Sequence, residues 1–186
     1  MRRLYIIICI SLLAFVAVVN AAARSAAPQG NQAVKTMQAD FVQTKTMKML
    51  GDKMVSRGKM YYQSTDKLHW EYTAPYVYTF VLSGNKVMLK KGTRKDIVDV
   101  KQNRIFREIA RIMVGSVCVT STSATKEMKM SKEMKSMYKR IVLHFDTKTT
   151  LVKKVVMYEK NGDTTEIEIK NVTLNKNISP AVFDVQ

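Results

Sequence analysis

The sequence predicts a mainly β protein, because apolar and polar side chains alternate along most of its length. Successive side chains of a strand point to opposite faces, so this alternation indicates a sheet with one buried and one solvated side. Tight-turn signals at residues 83–86 and 161–163 separate such runs. Residues 104–114 have helical spacing instead. Many short antiparallel strands joined by tight turns indicate an all-β sandwich or barrel.

The first 23 residues have the three parts of a secretory signal peptide. Arg2 and Arg3 precede an apolar run over residues 4–19, and small residues follow at 21–23. The run is shorter than the ~20 residues of a spanning helix. Cys9 lies inside the run rather than after a small residue at its end, which argues against a lipid anchor. We expect residues 1–23 to be removed, leaving residues 24–186 as a single exported domain.

The strand pattern recurs from residue 39 to residue 172. Leu68, Trp70 and Tyr72 share one strand parity, and the more polar residues between them share the other. The run at 76–82 is apolar on both parities. The predicted strands are 39–44, 59–63, 68–73, 76–82, 87–89, 96–100, 141–145, 152–159 and 166–172.

Two segments have helical spacing. The apolar stripe of the first consists of Ile105, Phe106, Ile109, Ile112 and Met113. Its arginines lie off the stripe and Gly115 ends it, so an amphipathic helix is predicted over 104–114. A second, shorter helix is predicted near 130–138 from the spacing of its methionines. Its signal is weaker, because Ser131 and Ser136 are poor helix-interior residues.

The chain is strongly basic. After removal of the signal arginines it has 29 Lys and Arg against 15 Asp and Glu. In a cytosolic protein this excess would suggest a nucleic-acid partner, but export argues against one. The lysines occupy alternating strand positions, which indicates solvated faces. A weaker alternative is attraction to anionic membrane surfaces or to acidic proteins.

No constellation of catalytic or metal-binding residues is visible. His69 and His144 have no His or Cys at metal-ligand spacing, and Cys118 lies between two valines as a small buried residue would. The carboxylates near residue 166 lie on or beside a hairpin, where a solvated strand face is the simpler interpretation. There is no Gly-rich phosphate loop or nucleophile elbow. We therefore predict a protein without cofactor or metal that is not an enzyme.

Apolar residues exceed what one sheet face usually needs. Seven aromatic residues fall between positions 61 and 80, and the chain has 13 methionines, whose flexible thioethers suit irregular apolar contacts. Any single one of these residues could simply fill a core. Together with a single amphipathic helix as cover, they favour a curved sheet whose interior admits an apolar ligand.

Short motifs follow one another as in the LolA-like periplasmic lipoprotein carriers. Residues 39–43 resemble the family's Ala-x-Phe-x-Gln opening strand, and residues 58–60 resemble its Gly-x-Leu strand. Residues 68–75 resemble Phe-x-Trp-x-x-x-x-Pro, and residues 175–183 resemble the Asn-x-x-Ile-x-x-x-x-Phe ending. Each motif is weak by itself, and the resemblance depends on their order and spacing across nearly the whole mature chain.

The resemblance implies an incomplete, half-open antiparallel β-barrel covered by short α-helices. It implies a monomeric periplasmic carrier that takes acyl chains of lipoproteins from an inner-membrane ABC lipoprotein exporter to an outer-membrane acceptor. No nucleic acid, cofactor or covalent step is implied. Strand parity and the helix stripe then give the candidate acyl-binding residues Met60, Tyr62, Leu68, Trp70, Tyr72, Phe80, Leu82, Ile105, Ile109 and Met113.

Two departures from the family pattern leave alternatives open. Ser64 and Thr65 stand where many carriers have an Arg-Pro pair, whose arginine is thought to hold the lid closed. The family's long N-terminal helix has only about residues 29–35 available. A sensor of mislocalised lipid that regulates envelope stress is a second hypothesis, and a lipid hydrolase is a third, which the missing catalytic residues disfavour.

Overall fold

The computed structural model describes residues 34–64, 66–101 and 120–186, and ten strands within them form one antiparallel sheet. The strands are β1 (Thr36–Met47), β2 (Asp52–Gln63), β3 (Lys67–Ala74), β4 (Tyr78–Ser83), β5 (Lys86–Lys91), β6 (Arg94–Asp99), β7 (Thr125–Glu127), β8 (Tyr138–Phe145), β9 (Val152–Glu159) and β10 (Thr164–Leu174). The predicted signal peptide, the predicted 104–114 helix and Cys118 lie outside the described residues.

The order of the strands across the sheet is β6, β5, β4, β3, β2, β1, β10, β9, β8 and β7. In the described ranges β6 and β7 are the two edges and do not pair with each other, so the sheet is not closed. This confirms the mainly β, half-open architecture that the resemblance implies. The first and last of the ten described strands are neighbours, with Met37 opposite Leu174 and Phe41 opposite Ile169.

Strand periodicity predicted most of these elements correctly. Each predicted strand overlaps a strand of the structure, and both predicted turns join neighbouring strands. The run at 76–82 is an exception at its start, because β4 begins at Tyr78 and leaves Tyr76 and Val77 exposed in the preceding turn. β7 has no counterpart among the predicted strands.

Two short helical elements accompany the sheet in the part of the chain that the structure describes. Helix α1 (Lys132–Met137) confirms the weaker helical signal, and Ser131 is its N-cap rather than an interior residue. The Ser131 hydroxyl oxygen accepts a hydrogen bond from the Met134 amide at 3.3 Å. A 3₁₀ helix, Pro180–Phe183, lies three residues before the end of the described chain. None of the helices in the described ranges has the length and apolar character needed to cross a bilayer.

The C-terminal 3₁₀ helix covers the outer face of the sheet at β3 and β4. His69 Nδ1 lies 2.6 Å from the Val182 carbonyl oxygen and donates to it in the Nδ1-protonated tautomer. The Lys67 ammonium lies 5.9 Å from the centre of the Phe183 ring. Part of the face that alternation predicted to be solvated is therefore covered by the chain's own end.

Candidate functional site

The inner face of the sheet, defined here as the face that carries Trp70, is built from rows of side chains on neighbouring strands. The first row, in sheet order, is Met37, Tyr62, Leu68, Leu82 and Val87. The second row is Ala39, Met60, Trp70 and Phe80. No side chain in these rows exposes more than 6% of its surface. The inner face is thus a continuous apolar layer across five strands.

An aromatic cluster lies at the centre of this layer. The Phe41 ring stacks on Trp70 with ring centres 4.1 Å apart and meets Tyr72 edge-on at 5.1 Å. Gly58 lies directly opposite Phe41 in the ladder, and a Cβ there would lie 2.4 Å from Phe41 Cζ. The absence of a side chain at Gly58 therefore allows the Phe41 ring to lie over β2.

Seven of the ten predicted site residues lie together on this inner face, and all seven are buried. They are Met60, Tyr62, Leu68, Trp70, Tyr72, Phe80 and Leu82. Ile105, Ile109 and Met113 lie outside the described residues. The structure thus brings the strand-borne candidates together, and their contact with acyl chains remains a prediction.

The sequence-based choice of site residues missed the contribution of β1 and of the second half of the sheet. Phe41 contacts two predicted residues directly, and Leu143, Val155 and Ile167 continue the inner face across β8, β9 and β10. Each lies in a segment whose alternation was recognised. The alternation that marks these residues as buried was therefore visible in the sequence, but the sequence did not show which strands would be neighbours.

The apolar layer ends in polar side chains along β1. After Phe41, the next inward residues are Gln43 and Lys45, and both are buried. The Tyr72 hydroxyl donates to Gln43 Oε1 at 2.8 Å. The inner face is therefore apolar from Met37 to Phe41 and polar beyond Phe41.

A buried ion pair forms the polar end. Lys45 Nζ donates to both Glu159 carboxylate oxygens, at 3.0 and 3.2 Å, and lies 3.7 Å from Asp163 Oδ2. The Thr165 hydroxyl donates to Glu159 Oε1 at 3.1 Å. Burial and, to a smaller extent, the charge of Glu159 raise the pKa of the Tyr138 hydroxyl above its usual range. This end joins β1, β9 and β10 through hydrogen bonds between side chains.

The raised pKa of Tyr138 predicts a loss of stability in alkali. In the unfolded chain this phenol ionises near pH ~10, whereas the buried hydroxyl keeps its proton. Its contribution to the free energy of unfolding is therefore complete below about pH 10 and is lost as the pH rises further. Urea unfolding between about pH 8 and 11 should show a smaller alkaline loss for Tyr138→Phe than for wild type. Exposed Tyr76→Phe is the control, and equal pH slopes in both variants would contradict the assignment.

The described residues offer little for catalysis or metal binding. No group of three or more His, Cys, Asp or Glu side chains in the described ranges could hold a metal ion. His69 is occupied by the Val182 carbonyl, and Glu159 is held by Lys45. Ser64, at the position of the family's latch arginine, is exposed, and its backbone amide donates to the Lys35 carbonyl oxygen at 2.8 Å. Binding by apolar contact is the chemistry that this arrangement supports.

Comparisons with known proteins give one family and a set of distant folds. No curated protein sequence matches the chain significantly. A LolA superfamily protein from Nitrosomonas europaea is 9% identical, with a TM-score of 0.46 over 81% of this chain and 90% of that one. A putative outer membrane lipoprotein-sorting protein domain from Vibrio parahaemolyticus is 9% identical, with a TM-score of 0.48 over 80% and 89%. The lipoprotein LppX of Mycobacterium tuberculosis is 6% identical, with a TM-score of 0.44 over 78% and 89%.

The assignment to a family comes from the sequence rather than from these distant structures. The family described as "Outer membrane lipoprotein carrier protein LolA" matches residues 32–186. The match includes every strand of the sheet and both polar and apolar parts of the inner face. It confirms the resemblance found in the short motifs. Because it covers most of the sequence, this chain belongs to the LolA family of outer membrane lipoprotein carrier proteins.

Proposed function

We propose that this protein carries lipoproteins across the periplasm with their acyl chains held against the inner face. The observation that carries the proposal is the continuous apolar layer formed by the two cross-strand rows around Trp70. Acyl chains offer no hydrogen-bonding groups along their length, so the largely apolar rows of the inner face suit them. Burying each CH₂ group contributes roughly 0.8 kcal/mol, which makes a long acyl chain a tightly held ligand.

The proposed site consists of the inner-face residues together with a cover. Met60, Tyr62, Leu68, Trp70, Tyr72, Phe80 and Leu82 form the floor, and Ile105, Ile109 and Met113 are proposed to close over it from the amphipathic 104–114 segment. Because the floor side chains are already buried, bound acyl chains would replace some of the contacts that these side chains make. Flexible methionines and apolar packing accept such exchange more readily than fixed hydrogen bonds do.

The family and the predicted signal peptide support the proposed setting of the carrier. The signal at residues 1–23 would direct the chain to the periplasm. There the proposed donor is an inner-membrane ABC lipoprotein exporter, and the proposed acceptor lies at the outer membrane. The protein is proposed to act as a monomer without cofactor and to catalyse no reaction.

Trp70 gives a direct test, because it is the only tryptophan of the chain and lies at the centre of the proposed floor. A triacylated peptide should shift or quench Trp70 fluorescence, and the same peptide without acyl chains should not. Leu82→Asn should weaken acyl-peptide binding by about tenfold, because it places an unsatisfied amide against the chains. Val172→Asn, at an exposed position, is the matched control. If calorimetry shows that the acylated peptide has saturated the protein and the Trp70 spectrum is unchanged, the acyl chains do not bind at the proposed floor.

The identity of the cargo separates the carrier from a lipid sensor. Native mass spectrometry of the protein purified from its own periplasm should show a bound lipoprotein, whose mass exceeds that of any free lipid. A carrier should also release this cargo to acceptor membranes. A stable lipid-dependent complex with a signalling protein would favour the sensor instead.

A further inference from the structure

Several turns lie at one end of the sheet, here called the hairpin end. The antiparallel register places the β1–β2 tip at 48–51, the β3–β4 turn at 75–77 and the β9–β10 turn at 160–163 on this side. The Lys48 amide donates to Asp163 Oδ1 at 3.0 Å, so the first and third of these turns touch. The start of β8 lies here too, because Tyr138 pairs with Glu159.

The hairpin end exposes large apolar side chains to solvent. Met49 and Leu50 expose 90% and 73% of their surfaces at the β1–β2 tip, and Tyr76 and Val77 expose 63% and 60% in the β3–β4 turn. These four account for most of the exposed large hydrophobic residues in the part of the chain that the structure describes. The β1–β2 hairpin extends beyond the end of β3. The last pair between β2 and β3 is Arg57 with Ala74, whereas the ladder between β1 and β2 continues to Met47 with Asp52. Met49 and Leu50 therefore project from the molecule.

A pocket with a basic rim opens at the β9–β10 turn, between Lys135 of α1 and Lys160 of that turn. Its volume is about 510 Å³. Its lining residues are Glu127, Met128, Lys129, Met130, Lys135, Tyr138, Lys139 and Lys160. The two methionines and Tyr138 are buried or half-buried, whereas all four lysines are exposed. The pocket is thus apolar at its floor and cationic at its mouth.

The cations at this mouth differ from other lysines of the sheet. Lys154 and Lys170 form ion pairs with Glu166 and Glu168. Among the described side chains, no carboxylate forms an ion pair with any of the four pocket lysines. Glu127 is the one acidic residue of the lining. The rim therefore carries an excess of positive charge that the described part of the chain does not neutralise.

We propose that the hairpin end docks on an anionic phospholipid bilayer, with Met49 and Leu50 in the interface and the pocket lysines on lipid headgroups. Exposed apolar side chains on projecting turns reach the boundary between headgroups and acyl chains, and nearby lysines are attracted by the negative surface potential. The pocket is large enough for a headgroup, and its methionines suit the glycerol and upper acyl region. An acidic protein would explain the lysines but not the solvated apolar tips.

This proposal goes beyond cargo binding and is tested without any lipoprotein. The purified exported protein is sedimented with vesicles of phosphatidylcholine alone and with vesicles containing phosphatidylglycerol. Binding should appear only with the anionic lipid and should weaken as salt rises. Lys129→Gln, Lys139→Gln and Lys160→Gln combined should weaken binding by about tenfold to a hundredfold. Met49→Ser with Leu50→Ser should weaken it by about tenfold or more.

The matched control removes three exposed lysines from the opposite end of the sheet. Lys86→Gln, Lys148→Gln and Lys176→Gln change the net charge equally and should leave most of the binding intact. Equal losses in both triple variants would overturn the proposal, because they would show attraction by overall charge only. Unchanged binding of the Met49 and Leu50 variant would overturn insertion of the tip. If phosphate releases the protein from the vesicles far more strongly than chloride does at the same ionic strength, the pocket lysines form a site for free anions, and the bilayer proposal is wrong.

Discussion

Replacing Gly58 with alanine is expected to lower the free energy of unfolding by about 3 kcal/mol or more. The new Cβ would lie 1.9 Å from the Glu71 carbonyl oxygen and 2.4 Å from Phe41 Cζ. Backbone and aromatic ring would both have to move, which would disturb the stack of Phe41 on Trp70. Chemical denaturation followed by circular dichroism measures the change, and Trp70 fluorescence reports on the stack.

Gly92→Ala is the control for this prediction. Gly92 has a φ of +58° with nothing within 4 Å of the added Cβ, so its substitution tests backbone strain without a steric clash. Strain of that kind costs roughly 1–2 kcal/mol. The Gly58 variant should be clearly the less stable of the two. If both variants lose the same stability, close packing around Gly58 is not what requires a glycine there.

Replacing Lys45 with methionine is expected to lower the free energy of unfolding by about 3–5 kcal/mol. The change keeps an apolar side chain of similar length but leaves the Glu159 carboxylate buried without the ammonium that it contacts at 3.0 Å. The hydrogen bond from Thr165 cannot compensate a full charge. Urea denaturation at neutral pH measures the effect.

Two further variants isolate the cause of this effect. Lys45→Met combined with Glu159→Leu removes both charges and should recover most of the lost stability. Lys170→Met breaks the exposed pair with Glu168 and should change stability by less than about 1 kcal/mol. A double variant as unstable as Lys45→Met would mean that the methionine disturbs packing, and the buried charge would not be the cause.

The sequence predicted the sheet because alternation is a direct consequence of burial on one face. Leu68, Trp70 and Tyr72 share a face for this reason, and all three are buried in the structure. The Gly-x-Leu motif also has a physical basis, since Gly58 leaves room for the Phe41 ring of the preceding strand. Local patterns therefore specified the strands, their faces and most of the residues proposed to bind acyl chains.

Features that depend on which strands are neighbours could not be predicted in this way. Lys45 lies on the inner parity of β1, yet a lysine in an alternating strand is expected to face solvent. Its burial becomes explicable only when Glu159, 114 residues away, is placed beside it. Similarly, Ser131 weakened the helical signal because its role as N-cap depends on where the helix begins. The exposure of Tyr76 and Val77 likewise could not be predicted without knowing that β4 begins at Tyr78.

The neighbouring positions of β1 and β10 set a condition on when this protein can finish folding. Strands β1 to β6 each pair with the next strand in sequence, and so do β7 to β10. Among the described strands, the two halves of the sheet pair only where β1 meets β10, and a contact such as that of Asn171 with Asp40 spans 131 residues. A chain that emerges N-terminus first leaves the long edge of β1 unpaired until its last strand arrives, and such edges promote aggregation. The time until β10 emerges and pairs with β1 therefore sets how long each new molecule can aggregate through the free edge of β1.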